Sequence, residues 1–282
     1  MALATVGPAR AGVWPTPAAG PSASGGPELV LTFDDGPNRT TERILDTLEA
    51  HHAQAIFFLV GRMVERGAPG VVAPILHRMI AGGHVLANHS MTHAQLCTAK
   101  AERAAEEIDA AALVLERATG LEMTWFRTPY GSRCARLEAQ LAERGLAHFH
   151  WDIDPQEWRD HSATRAAAMV LGRLRRATGR EVLLMHDIHP VTAKALPLIL
   201  DGLVAENARR LERGLLPIRI VPPGELAAEQ VAPGLLALLA DVGHAMTDGL
   251  VDATTAIPQP AGDALTAAAG ARARRARRCT SP

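Results

Sequence analysis

From residue 28 onward, short apolar runs alternate with longer stretches in which apolar residues recur every three or four positions. The short runs fall at 28–33, 54–60, 84–87, 123–126, 147–151, 182–185 and 218–221, and they read as strands. Helical periodicity fills most of the gaps, at 40–51, 71–81, 101–119, 136–143, 164–177 and 192–212. Gly82, Gly120, Gly145, Gly179 and Gly214 fall where those helices should stop. Seven strands alternating with helices predict a parallel α/β fold, open or closed into a barrel with helices outside. Residues 1–26 are rich in Ala, Pro, Gly and Ser and predict a flexible leader. Residues 229–282 predict an extension with one apolar helix near 234–246 and a disordered, Ala-rich tail. The folded domain is therefore expected over 27–228.

Composition narrows the function classes. Of 282 residues, 48% are hydrophobic and 21% charged, which suits a packed core. A formal net charge of −1 gives no electrostatic case for a nucleic-acid partner. The longest apolar runs are far too short to span a bilayer, so no transmembrane segment is expected. Cys97, Cys134 and Cys279 are odd in number and scattered, and predict neither a disulfide framework nor a CxxC metal site. Arg10 has no apolar stretch behind it, so a secretion signal is not expected. The Ala/Arg run at 271–278 reads as a solvated charged segment, and an anionic wall or membrane surface is the partner it would suit. Nothing in the pattern fixes an oligomeric state.

The polar residues that stand out follow the C-terminal ends of the expected strands. Asp34 and Asp35 follow the first, His89 and His93 the third, and Arg127 and Tyr130 the fourth. Asp152, Asp154 and Trp158 follow the fifth, and His186 and Asp187 the sixth. In parallel α/β folds ligands bind at that rim, so five segments are expected to converge there. Neighbours in a strand face opposite ways, so Asp34 and Asp35 need not share a task. Asp-Asp-Gly-Pro is also good turn chemistry. His89 and His93, four apart, would share one face of a helical turn and suit one cation. Position 90 is Ser, so no base lies between the histidines, and the acidic pair supplies one carboxylate to ligate and one to act as base. Arg127 would hold a carboxylate charged, or else sit on an ordinary loop. His186 would cap its strand or donate a proton. Trp151 and Trp158 would fill the core or, if exposed on the rim, stack on a sugar.

Taken together, TFDDG at 32–36, HSMTH at 89–93, RTPYG at 127–131, DPQEW at 154–158 and LMHD at 184–187 resemble the five ordered motifs of the polysaccharide deacetylases. This is the NodB-homology family, carbohydrate esterase family 4. The resemblance runs over roughly 28–221. It implies a distorted (β/α) barrel and removal of N-acetyl groups from an N-acetylglucosamine-containing glycan, peptidoglycan or chitin oligosaccharide. It makes Asp34 the general base, oriented by Arg127, and His186 the general acid, tuned by Asp154. It makes Asp35, His89 and His93 the ligands of one divalent cation, zinc first, with cobalt, iron and manganese also suited. The backbone at Tyr130 would hold an oxyanion, and Leu184 and Trp158 would line the groove. One departure is Glu157, where the family commonly has Asp before its Trp; the extra methylene would alter the shape of the groove. Relatives that cleave O-acetyl esters on xylan or small cyclic amides, and non-catalytic carbohydrate-binding relatives, keep the same scaffold. The resemblance also implies work outside the cytoplasm.

Overall fold

A computed structural model describes residues 25–229 of the chain. The expected leader lies outside the described residues up to position 24, as do the helix and tail expected beyond 229. The elements run β1 (Glu28–Asp34), α1 (Arg39–Ala50), β2 (Ile56–Leu59), α2 (Gly61–Arg66), α3 (Pro69–Ala81), β3 (Val85–Asn88), α4 (Ala101–Thr119) and β4 (Trp125–Phe126). A 3-10 turn at Pro129–Gly131 follows, then α5 (Ala135–Glu143), β5 (Ala147–His148), α6 (Glu157–Asp160), α7 (Ala163–Leu174), β6 (Arg180–His186), α8 (Pro190–Glu212) and β7 (Arg219–Ile220).

The seven strands of the described residues pair in parallel: six run in the order β5-β4-β3-β2-β1-β6, and β7 lies off this path beside β1. β6 runs along the whole of β1, β2 pairs with Thr32–Asp34, and β7 pairs with Glu28 and Leu29. Beyond β5 the chain bends, and Ile153 bridges to Leu183 on the free side of β6. That contact carries the sheet round into a distorted barrel, the form the family resemblance implies and one of the two that the alternation of elements left open.

The two-residue period of a strand sorts the side chains. Leu29, Leu31 and Phe33 of β1 join Phe57, Leu59, Leu183 and Met185 under the helices. There they meet Ile44 and Leu48 of α1, Ile75 of α3, Leu115 of α4 and Leu196 of α8. Each fully buried Leu or Phe in this layer stabilises the fold by roughly 1.5–3 kcal/mol. The alternate residues Val30, Ile56, Phe58 and Val182 pack inside the barrel with Trp125 and Phe149. Thr32 and Asp34 continue the inward series of β1, and Leu184 and His186 that of β6. The register sets Thr32 beside Leu184 and Asp34 beside His186. One strand pairing therefore delivers an acid and a histidine to the same mouth.

The helix boundaries fall within a few residues of the expected ones. Two short helices, α2 and α6, are not legible in the periodicity, because a turn or two of helix carries too little apolar repeat. Cys97 and Cys134 form a disulfide with Cα atoms 5.9 Å apart, which corrects the expectation drawn from their scatter. Scatter along the chain does not measure distance in the fold: Cys97 follows the β3 loop, Cys134 the β4 loop, and the two loops are neighbours. Cys279 lies outside the described residues. No helix among the described residues is long and apolar enough to cross a membrane.

Candidate active site

A pocket of about 380 Å³ opens at the C-terminal ends of the strands. Asp34, Asp35, His89, His93, Tyr130, Asp154, Trp158, Leu184 and His186 all line it. Arg127 lies behind it, fully buried. Thr128, Trp151 and His189 complete the wall.

The acidic pair converges by a turn, not by strand alternation. β1 ends at Asp34, and Asp35 takes a left-handed φ of 80° that swings its carboxylate back over the same pocket. A cis peptide joins Gly36 to Pro37. Gly36 must lack a side chain, because a Cβ there would stand 2.1 Å from Asp187 Oδ2. Asp187 is itself buried and accepts a hydrogen bond from the Thr41 hydroxyl at 2.7 Å. Burial, with the nearby charges of Asp35 and Asp34, raises its carboxyl to about 7. A carboxyl near half protonation thus supports the turn that carries Asp35.

The histidine pair also converges by a different route from the one expected. Residues 89–93 are not helical, and Ser90 and His93 adopt left-handed φ angles of 67° and 58°. Local hydrogen bonds hold this loop. The Ser90 amide donates to Asn88 Oδ1 at 2.8 Å, and the His93 amide donates to Ser90 Oγ at 3.0 Å. Glu107, on the apolar stripe of α4, accepts from the Thr92 amide at 2.7 Å and from its hydroxyl at 2.6 Å. The His89 Nδ1–H donates to the Arg127 carbonyl at 2.7 Å, which turns Nε2 toward the acids.

The result is a trio suited to one cation. His93 Nε2 stands 3.2 Å and His89 Nε2 3.5 Å from Asp35 Oδ1. That buried oxygen has no well-formed hydrogen bond, and the three donor atoms lie within 4.8 Å of one another. Burial opposes ionisation of Asp35, yet contact with His89 and the surrounding histidines His93 and His186 hold its carboxyl down at about 2. Burial and the neighbouring His89 push the His93 imidazole below its usual value, so it is neutral, as a ligand must be. Two imidazoles and a carboxylate leave coordination positions open, so the donor set fits a catalytic cation. A second group, Glu138, His148 and His150, also lies within such a span. Its His148 is already engaged, by Glu138 at 3.0 Å and by the Thr128 hydroxyl at 2.6 Å.

Asp34 is held differently. Arg127 Nη1 donates to its Oδ1 at 2.8 Å and to Thr32 Oγ1 at 2.7 Å. Nη2 donates to the His150 carbonyl at 3.1 Å, and the guanidinium lies 4.1 Å from the centre of the Phe58 ring. A buried cation bonded on several sides keeps its neighbour oriented. The fourth strand delivers this arginine, and Gly131 fixes the loop after it. Gly131 has a φ of 64°, and a Cβ there would meet the Trp151 ring at 2.5 Å. Tyr130, also left-handed, stays 63% exposed with its ring 4.5 Å from that of His93.

His186 has a nearer carboxylate than the Asp154 expected to tune it. The Asp154 carboxylate accepts from the Gln156 amide at 2.9 Å through Oδ1 and makes no hydrogen bond to His186. Glu157, fully buried on the first turn of α6, is what touches the histidine. Its Oε1 lies 3.3 Å from His186 Nδ1 and accepts from the His186 amide at 2.9 Å and the Thr192 hydroxyl at 3.0 Å. Glu157 therefore does not shape the groove, as its extra methylene suggested; it supports the histidine from beneath. Burial works against a charged His186, but Glu157, Asp34 and Asp35 raise it to about 9. At neutral pH this histidine carries its proton. The signal for Glu157 was present in the sequence, as an acid one residue before an aromatic in the motif. Glu107 was legible as a charge within an apolar helical stripe.

The geometry defines a hydrolase-type rim site on a distorted parallel barrel, and comparison with known proteins gives the family. Residues 22–149 match the polysaccharide deacetylase family model. A chitooligosaccharide deacetylase from a Bradyrhizobium strain is 34% identical over 169 residues, covering 59% of this chain and 74% of that protein. A peptidoglycan-N-acetylglucosamine deacetylase from Bacillus cereus is 35% identical over 182 residues, covering 61% of this chain and 64% of that protein. The structure of the peptidoglycan deacetylase PdaC from Bacillus subtilis superimposes with a TM-score of 0.60 at 28% identity, covering 74% of this chain and 96% of that one. The chain belongs to the polysaccharide deacetylase family, carbohydrate esterase family 4.

Proposed function

We propose that this protein is a metal-dependent hydrolase that removes N-acetyl groups from an N-acetylglucosamine-containing glycan, peptidoglycan or chitin oligosaccharide, releasing acetate. The observation that carries the reading is a base and an acid on adjacent strands, Asp34 held by Arg127 and His186 held protonated by Glu157, beside a trio of cation ligands. A divalent cation bound by Asp35, His89 and His93 would polarise the acetamido carbonyl and make water a better nucleophile. Zinc is the first expectation, and cobalt, iron or manganese suit the same ligands.

Asp34 takes the proton of the attacking water, and Arg127 keeps that carboxylate aimed. A backbone N–H at Tyr130 stabilises the oxygen as it becomes negative. As the carbon–nitrogen bond breaks, His186 gives its proton to the nitrogen, so that an amine leaves and acetate remains. An amine is a poor leaving group until it is protonated, so an acid at His186 suits an amide substrate. Leu184 forms an apolar wall for the acetyl methyl, and Trp158, 42% exposed, offers a face to a sugar ring. Asp154 adds negative charge near His186 without bonding to it. The Cys97–Cys134 disulfide suits an oxidising, extracytoplasmic setting.

The test is acetate release from an N-acetylglucosamine oligomer by Asp34→Asn and His186→Ala. The expected loss is about 10²–10⁴-fold for each. Wild-type rates in both variants would overturn the assignment.

A further inference from the structure

We propose that an arginine-lined groove beside the cation-ligand loops binds carboxylate groups carried by the same glycan strand whose acetamido group enters the pocket. This rests on the deacetylase reading above and deepens it, by selecting a carboxylate-bearing glycan over a neutral one.

The groove measures about 440 Å³ and is lined by Arg39, Arg62 and Arg66 over an apolar floor that includes Pro37, Met63 and Val71. No acidic residue lines it. The three arginines are exposed, and no carboxylate among the described residues lies within ion-pairing distance of any of them. Some arginines elsewhere are matched, as Arg78 is by Asp46 and Arg144 by Asp109; others, such as Arg43 and Arg117, are exposed and, among the described residues, unpaired, but line no pocket with further arginines. Three unmatched guanidinium groups around one concavity make a local positive field that a neutral sugar polymer would not use. Each presents a planar fork suited to a carboxylate.

The position ties the groove to the site. Pro37 follows Asp35 by two residues, a chain reach of roughly 7 Å. The Gly61 amide donates to the Ser90 carbonyl at 3.0 Å, and the Arg62 amide donates to the Met91 carbonyl at 2.8 Å. The helix that carries Arg62 and Arg66 is thus bonded to the loop that carries His89 and His93. A glycan extending from the pocket in this direction passes the arginines. A strand bearing lactyl or peptide carboxylates would meet them, with its apolar groups on the floor.

The experiment uses the full chain and the triple variant R39Q/R62Q/R66Q. Three probes are titrated at low and high salt: an N-acetylglucosamine oligomer, a peptidoglycan glycan fragment with lactyl carboxylates and no peptide, and the same fragment with its peptide. The expected result is about tenfold tighter binding of a carboxylate-bearing fragment by the wild type, from three exposed charge pairs. That preference should vanish in the variant and shrink at high salt. The two fragments separate lactyl from peptide carboxylates as the source. Equal affinity of the wild type for all three probes, or an unaltered preference in the variant, would overturn the proposal. Acetate release from the neutral oligomer should be the same in both proteins. Its absence in both, with the binding preference intact, would refute the catalytic reading and leave the groove standing.

Discussion

At one end β1 buries Glu28, and at the other it buries Asp34 and turns into Asp35. The same strand thus brings acidic groups to both mouths of the barrel, in very different company. Glu28 is matched on both oxygens: Arg180 lies 2.8 Å from Oε2 and Arg219 2.8 Å from Oε1. Arg180 is in turn bound by Glu229 at 2.7 Å. That end is an ion-pair network in which the Glu28 carboxylate is matched, while Arg219 Nε is itself buried without a hydrogen bond. At the other end Arg127 satisfies one oxygen of Asp34, while Asp35 Oδ1 is buried without a hydrogen bond among imidazoles. Burying a polar group without a partner costs stability, so a buried carboxylate oxygen left open among imidazoles calls for a reason. The contrast lies in the company each carboxylate keeps: both Glu28 oxygens face guanidinium groups, whereas Asp35 faces two imidazoles with which it could share a cation.

Substitutions can break or sharpen this comparison. The largest effect is on rate: Asp35→Ala, His89→Ala or His93→Ala should abolish cation binding and activity while the chain still melts cooperatively. Glu28→Ala should do the reverse. It should lose about 2–4 kcal/mol of stability, since Arg219 is partly exposed and Arg180 keeps one partner, with turnover per folded molecule unchanged. Denaturant melts and acetate assays on the same samples check both, and a catalytic defect in Glu28→Ala would erase the distinction. Replacing Cys97 and Cys134 together by Ala should cost about 2–4 kcal/mol, because the bridge closes a loop of 37 residues. Melts with and without reductant read that loss, and a wild-type chain insensitive to reductant would contradict it.

The smallest effect is a shift in pH dependence. His186 is raised from its ordinary value to about 9 in the protein without its cation. A group raised on folding stabilises the fold fully below its unfolded value of about 6.5. That contribution is lost as pH rises through about 9. Glu157→Gln should lower the His186 value and move the alkaline loss of activity to lower pH. A titration of the His186 ring resonance in chelated protein reads this directly. An unmoved resonance would return the tuning role to another group.

Much of this was legible in the sequence, for identifiable reasons. The α/β alternation and the rim position of the polar residues follow from hydrophobic period and strand ends, which local sequence encodes. The α4 boundaries, 101–119, were readable because its apolar stripe is long and Gly120 stops it. The route by which side chains converge was not readable. Asp35, Ser90 and His93 reach the pocket through left-handed backbone, which non-glycine residues adopt only where tertiary bonds over-determine it. The same holds for Glu157, whose role depends on where α6 docks against β6, and for the disulfide, which joins two loops that only the barrel makes neighbours.

The most direct test is acetate release by the chelated protein as zinc or cobalt is added back. One cation per chain at Asp35, His89 and His93 predicts no activity after exhaustive chelation. Recovery should rise linearly and stop at one equivalent, and Asp35→Asn should not recover. Full activity in the chelated protein, or recovery by Asp35→Asn equal to the wild type, would contradict the account.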